Sequence, residues 1–214
     1  MKIGILGTGM VGSTIGTKLV QLGHEVKMGS RTADNEKAAE WTKTNGDKAS
    51  QGTFADAAEF GEILFNCTSG QGSIAALKSA GKNINGKILI DIANPLDFSK
   101  GMPPSLSVCN TDSLGETIQR EFPDVKVVKT LNTVNCNLMI NPPLVKGEHD
   151  LFICGNDADA KTKVLDILQN WFGWKSVIDL GDITNARATE MLLPIWIRLM
   201  GKFGTPNFNF KIVK

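Results

Sequence analysis

The sequence predicts an α/β protein built on a doubly wound, mainly parallel sheet with a C-terminal helical cap. Three observations predict it. Short apolar, β-branched runs recur between helical patterns, the order expected of strands joined by crossover helices. The first run, Ile3-Gly4-Ile5-Leu6, leads straight into the glycine-rich stretch Gly7-Thr8-Gly9-Met10-Val11-Gly12 and then a helical pattern. The tail from Thr184 carries a longer helical pattern.

Taken in order, strands are expected at 2–6, 25–29, 62–67, 87–92, 126–131, 150–154 and 176–180. The first crossover helix runs from Met10 to Leu22, with Gly23 as its stop. A second follows Arg31, from Asn35 to Asn45, and others fall near 72–80, 113–121 and 158–172. Asp157 and Asp159 open the 158–172 helix, where capping and the helix dipole favour acids. The cap helix spans Ala186 to about Lys202 and ends at Gly204 and Pro206. No repeat, low-complexity stretch or Pro/Ser-rich linker interrupts the chain. Residues 1–180 are therefore expected to form a nucleotide-binding unit and 181–214 a cap, within one compact body.

At 214 residues there is chain enough for one generous domain or two small ones. The formal charge is +1 with no block of like charges, which argues against a nucleic-acid or anionic-membrane surface. Apolar stretches are short and broken, so no membrane span is expected. The first strand begins almost at Met1, leaving no room for a signal peptide. Cysteines at 67, 109, 136 and 154 show neither metal-ligand nor redox spacing. They read as reduced, mostly buried thiols of a cytoplasmic protein.

Gly7-Thr8-Gly9-Met10-Val11-Gly12 fits G-x-G-x-x-G between a strand and a helix, the context of a Rossmann-like dinucleotide site. Gly7 permits the tight turn, Gly9 lets the backbone approach a pyrophosphate, and Gly12 lets helix and strand pack closely. Free N–H groups and the helix dipole then favour the phosphates. An NAD site would place an acid near the end of the second strand; this chain reads Gly29-Ser30-Arg31-Thr32. The 2′-phosphate of NADP carries roughly −1.5 to −2 charges, by analogy with other phosphomonoesters, and a carboxylate would repel it. Gly29 leaves space, Ser30 and Thr32 can hydrogen-bond, and Arg31 can form a bidentate pair. The plain alternative is a surface loop whose arginine is merely solvated.

Reducing a carbonyl requires a proton donor, commonly His, Tyr or Lys. There is no tyrosine, so a Tyr-Lys mechanism is excluded, and there are only two histidines. His24 and His149 lie in turns entering strands, whereas ligands of open α/β sheets bind outside the carboxyl ends. Both read as structural or solvated. Lys129, mid-strand, and Asp91, before Ile92-Ala93-Asn94-Pro95, could each donate a proton or serve the sheet and its turn. A site so poor in acid–base groups suits an acceptor that takes hydride into a conjugated ring, a flavin or deazaflavin. No catalytic side chain and no metal ligand is expected.

Together these stretches resemble the NADPH-dependent reductases of the deazaflavin coenzyme F420, over nearly the whole chain. The carriers are GILGTGMVG at 4–12, GHEVKMGSRT at 23–32 and GDITNARATEMLLPIWIRLMGKFG at 181–204, with Asn185, Arg187 and Glu190 the most discriminating. The resemblance implies NADP(H) along the strand ends and a deazaflavin ring stacked on the nicotinamide. It puts Thr8, Met10 and Val11 at the pyrophosphate and nicotinamide, and Ser30, Arg31 and Thr32 at the 2′-phosphate. Cys67, Thr68 and Ser69 fall on the adenosine side, and Asn94 and Pro95 nearer the nicotinamide. The acceptor would lie between Asn132-Thr133 and Pro206-Asn207-Phe208. At 132–136 the chain reads Asn-Thr-Val-Asn-Cys where deazaflavin-specific members read His-Thr-Ile-Pro-Ala. The sequence is also similar to the oxidoreductase domain of the STEAP metalloreductases, which passes electrons to flavin. An NADPH-sensing module without turnover is a third reading. Relatives of this fold dimerise, and the apolar helix around 191–197 implies a homodimer.

Overall fold

The computed structural model describes residues 1–214. Five strands with crossover helices form the centre: β1 (Lys2–Leu6), β2 (Glu25–Ser30), β3 (Ala49–Thr53), β4 (Ile63–Asn66) and β5 (Ile88–Asp91). They alternate with α1 (Met10–Gln21), α2 (Glu36–Asn45), α3 (Phe54–Phe60) and α4 (Gly70–Ala80). A small hairpin, β6 (Leu96–Asp97) and β7 (Ser105–Leu106), follows β5 and precedes α5 (Leu114–Glu121). Then come β8 (Lys126–Thr130), α6 (Cys136–Ile140), β9 (Leu151–Gly155), α7 (Ala158–Asp166) and β10 (Val177–Asp179). Helices α8 (Ala186–Met191) and α9 (Leu193–Phe203) form the cap.

The sheet order is β10-β9-β8-β5-β4-β1-β2-β3. From β3 to β8 this is the doubly wound nucleotide-binding order, reversing between β1 and β4, where such sheets bind ligands. Successive strand residues point to opposite faces, so the core has two layers. Ile3, Ile5, Ile63, Phe65 and Val128 join one cluster, and Leu6, Leu64, Val127 and Cys154 the other.

Several sequence expectations change, and the β6–β7 hairpin and α6 are additions to the expected elements. Strand β3 and helix α3 were not foreseen: Ala-Ser-Gln-Gly-Thr has almost no apolar signal because β3 is an edge strand. The helix expected over 158–172 ends at Asp166 and continues as a π-turn over Ile167–Trp171. The cap helix breaks at Leu192, since Pro194 has no N–H to give and its ring crowds the preceding turn.

Strand β9 pairs antiparallel with β8, with Lys129 opposite Cys154 and Thr130 opposite Ile153. The start of β9 therefore sits at the carboxyl edge of the parallel strands. His149 is consequently on the ligand edge, contrary to the position inferred from its place before a strand.

The cap docks through charge. Lys129, fully buried, bridges the Asp91 and Glu190 carboxylates, each at 2.8 Å, and donates to the Ala93 carbonyl. Glu190 also accepts the N–H groups of Leu114 and Gly115 at the start of α5, at 2.9 and 3.0 Å. Arg187 forks onto the buried Glu116 carboxylate through Nε and an Nη. Arg187 and Glu190, the most discriminating cap residues, thus dock helices rather than face a ligand.

Candidate active site

Two adjoining cavities open along the carboxyl edge of the sheet, sharing Cys67, Thr68 and Ser69. The first, of about 720 Å³, is lined by Gly7, Thr8, Gly9, Ser30, Arg31 and Thr32, together with Asn35, Phe54 and the inner face of α4. The second, of about 570 Å³, is lined by Met10, Val11, Asn94 and Asn132, together with Phe98, Asn135, Trp196 and Pro206.

The glycine loop divides its labour. Gly7 has φ +120, and its amide donates to the Gly29 carbonyl at 3.0 Å, fixing the turn to β2. A Cβ on Gly12 would lie 2.2 Å from the Gly7 carbonyl oxygen, so Gly12 is required by packing. A Cβ on Gly9 would meet nothing within 4 Å. Nothing of the protein fills that space.

No side chain caps the N-terminus of α1 or of α4, and no acid lies in either first turn. By contrast, Asn35, Thr53, Ser113, Asn135 and Asp157 cap their helices with side-chain oxygens. Orphan N–H groups at a helix start favour anions.

At the end of β2 the Ser30 hydroxyl donates to the Thr32 carbonyl and accepts the Thr32 N–H at 3.2 Å, folding the loop into a tight turn. Arg31 is exposed on the cavity wall, and no carboxylate pairs with it. Gly29 serves a different purpose from the one expected. Its missing side chain is replaced by Ala57 and Thr53, 2.8 and 3.0 Å from a virtual Cβ, so the space holds α3 rather than a ligand.

A buried polar chain holds the shared wall. Thr68 donates its hydroxyl to Asn66 Oδ1 at 2.7 Å, and Asn66 Nδ2 donates to Asp91 at 2.8 Å and Ser73 at 3.1 Å. Asp91 passes to Lys129, joining the cavity wall to the cap. Burial alone would lower the Lys129 pKa, but the facing carboxylates hold it above the ordinary lysine value. Enclosed by two carboxylates and on the wall of neither cavity, it serves as a strut. Asn94 and Asn132 exchange hydrogen bonds, Nδ2 to backbone carbonyl at 2.8 Å and Nδ2 to Oδ1 at 3.0 Å.

The second cavity has no Asp, Glu, His, Lys or Arg on its walls. Its thiols are Cys67 and Cys136, and burial pushes the Cys67 thiol far up, keeping it protonated. His149 lies in a separate cavity beside Trp174; Nε2 meets the Pro142 carbonyl at 3.1 Å and Nδ1 meets Asn209 at 3.0 Å. His24 stacks on Trp171 with ring centroids 4.2 Å apart. All four cysteines are free, two of them buried. No cluster of three or more His, Cys, Asp or Glu side chains could hold a metal. No helix is long and apolar enough to cross a membrane.

Gly12, Pro95, Thr133, Asn207 and Phe208 are not on the walls. Thr133 is buried, Asn207 accepts from Asn135 at 3.3 Å, and Phe208 stacks behind Trp196 with centroids 5.3 Å apart. The wall residues not foreseen, Phe54, Phe98, Leu193 and Trp196, carry only ordinary apolar signals in sequence.

Residues 2–95 match the family described as NADP oxidoreductase, coenzyme F420-dependent. The chain superimposes with a TM-score of 0.94 on a crystal structure from Arthrobacter sp. FB24, provisionally named an F420-dependent NADP reductase, with 53% identity and full coverage of both chains. It is 28% identical to the F420-dependent NADP reductase of Methanocaldococcus jannaschii, covering 99% of this chain and 98% of that one. It is 29% identical to metalloreductase STEAP3 of Rattus norvegicus over 91% of this chain but only 38% of that protein.

Proposed function

The chain belongs to the family of coenzyme F420-dependent NADP oxidoreductases, and from that premise we propose that it transfers hydride between NADP(H) and a deazaflavin or flavin-like acceptor. The observation that carries the reading is the pair of cavities joined at Cys67–Ser69, one rich in anion-binding groups, the other free of acid–base side chains.

The first cavity fits a dinucleotide. Open space at Gly9, uncapped α1 and unpaired Arg31 match a pyrophosphate and a 2′-phosphate in turn. In this reading Gly7, Thr8, Gly9 and Ser69 cradle the phosphates, and Ser30, Arg31 and Thr32 select NADP over NAD. Met10, Val11 and Asn94 shape the nicotinamide end. Bound there, NADPH supplies hydride to an acceptor in the second cavity. The side chains orient the two rings; none needs to move a proton, since a conjugated acceptor ring can protonate from solvent. The polar part of the second cavity's wall consists of amides and hydroxyls, Asn94, Asn132, Asn135 and Asn137 among them, and carries no charge.

Two finer parts belong to the same proposal. A homodimer through α9 is supported by its composition, Leu-Pro-Ile-Trp-Ile-Arg-Leu-Met-Gly-Lys-Phe, of which only Leu193 is fully buried in the single chain. A cytoplasmic setting is supported by four unpaired thiols.

The test is NADPH consumption with a deazaflavin or a flavin supplied. Sustained turnover supports the reductase; tight NADPH binding without turnover on any acceptor replaces it with a sensing module.

A further inference from the structure

Beyond Gly204 the chain has almost no regular secondary structure, yet it stays tied to the molecule. Asn135, capping α6, donates from Nδ2 to the Pro206 carbonyl at 2.6 Å. Phe208 then stacks on Trp196, whose other surroundings include the second cavity. Farther on, the Phe210 carbonyl accepts the Asp150 N–H at 2.9 Å, and Asn209 Nδ2 donates to the Asp150 carbonyl at 2.9 Å. The Ile212 N–H reaches Asp150 Oδ2 at 2.6 Å, while the Ser176 hydroxyl donates to Oδ1.

Asp150 is 2% exposed. A buried carboxylate is costly unless its lone pairs are satisfied, and here much of the satisfaction comes from a terminal tail. Burial raises the Asp150 pKa, but the Ile212 and Ser176 hydrogen bonds and nearby Lys211 outweigh it and hold the carboxyl below the usual range. His149, Ser176 and Lys211 around it line the third cavity, and the tail runs from there back to Pro206 on the wall of the second. The carboxylate and the tail hold each other in place.

We propose that Asp150 is a positioning residue for the acceptor, pinning residues 205–212 as a strap that keeps Pro206 and Trp196 in place on the cavity wall. Of the two cavities joined at Cys67–Ser69 the strap lines only the second, through Pro206, so it governs the acceptor and not NADPH. This rests on the reductase reading given above.

The experiment compares Asp150→Ala, Asp150→Asn and the strap-side change Asn209→Ala. Binding of flavin mononucleotide and of the free 8-hydroxy-5-deazaflavin chromophore to NADP⁺-loaded protein is followed by fluorescence, beside steady-state turnover. Asp150→Ala and Asn209→Ala should raise the acceptor Kd and KM about tenfold, with kcat at saturating acceptor and the NADPH Kd within about twofold. Asp150→Asn keeps an oxygen for the Ile212 amide and should recover most of the loss. Should Asp150→Ala fail to fold, Asn209→Ala decides alone. Unchanged acceptor affinity in folded Asn209→Ala, or an equal loss for NADPH, overturns the strap while leaving the reductase intact. A parent protein that neither binds nor reduces an acceptor overturns both.

Discussion

Gly9→Ala separates the ligand's demands from those of the fold. Gly9 has φ −78 and ψ −177, a conformation open to any residue, and its virtual Cβ touches nothing. Replacing a glycine restricts the unfolded chain and stabilises by about 0.4–1 kcal/mol. Alanine is also a poorer N-cap than glycine, by about 1 kcal/mol. These offset, and at about 2–4 °C per kcal/mol for a chain of this size the melting temperature should move by only a few degrees. Binding is another matter. A methyl where a pyrophosphate must approach costs at least one charged hydrogen bond, about 1.5–3 kcal/mol, so NADPH should bind roughly ten- to a hundredfold more weakly. Gly12→Ala is the control: its Cβ would press on the Gly7 carbonyl at 2.2 Å. Overpacking of that kind costs about 1–3 kcal/mol or more, and the melting temperature should fall. Calorimetric titration and thermal unfolding of both variants decide. Undiminished NADPH affinity in folded Gly9→Ala, or a loss of stability matching Gly12→Ala, refutes the assignment of the loop.

Arg31→Ala should weaken NADPH about ten- to a hundredfold and leave NADH nearly unchanged; equal losses would remove the 2′-phosphate from Arg31. Lys129→Met strands two buried carboxylates, which costs about 3–5 kcal/mol and should lower the melting temperature by roughly 6–20 °C. Adding Asp91→Asn and Glu190→Gln should recover part of that loss, and a single variant as stable as the parent would contradict the triad. Light scattering should give twice the 23.1 kDa chain mass, and Ile195→Glu on exposed α9 should halve it; a monomeric parent refutes the dimer. Neither histidine should donate a proton: kcat should stay within a few-fold in His24→Asn, and in His149→Asn at saturating acceptor. General acid–base groups contribute about 10²–10⁴-fold, so a hundredfold fall in kcat would give a histidine that role.

The local parts of the fold were legible because they are written locally. Strand β1, its glycine turn and α1 are contiguous, and each residue's reason lies within a few positions of it. Strand β3 was hidden because its five residues carry the polarity of an exposed edge. The reversal of β9 was hidden for another reason: an apolar run looks the same whichever way the strand points. That one direction moved His149 to the ligand edge. Lys129 and Glu190 lie far apart in sequence, so their pairing was equally invisible, and Lys129 looked like a candidate acid until its carboxylates were placed. At the site, glycine and arginine positions announce themselves by chemistry. Trp196 does not, and Phe208, expected on the wall, stands behind it.

The turned strand also sets how the molecule can be attached to anything else. Met1 enters β1 at the edge remote from both cavities, while the final residues return along the start of β9 to the ligand edge. A purification handle or electrode linker fused ahead of Met1 leaves the acceptor's approach open. The same handle fused after Lys214 follows directly on the segment held by Asp150 and pulls on the strap whenever it is loaded. Orientation on a surface thereby becomes a matter of which end is tethered: an amino-terminal tether presents the redox face outward, and a carboxyl-terminal one turns it toward the support.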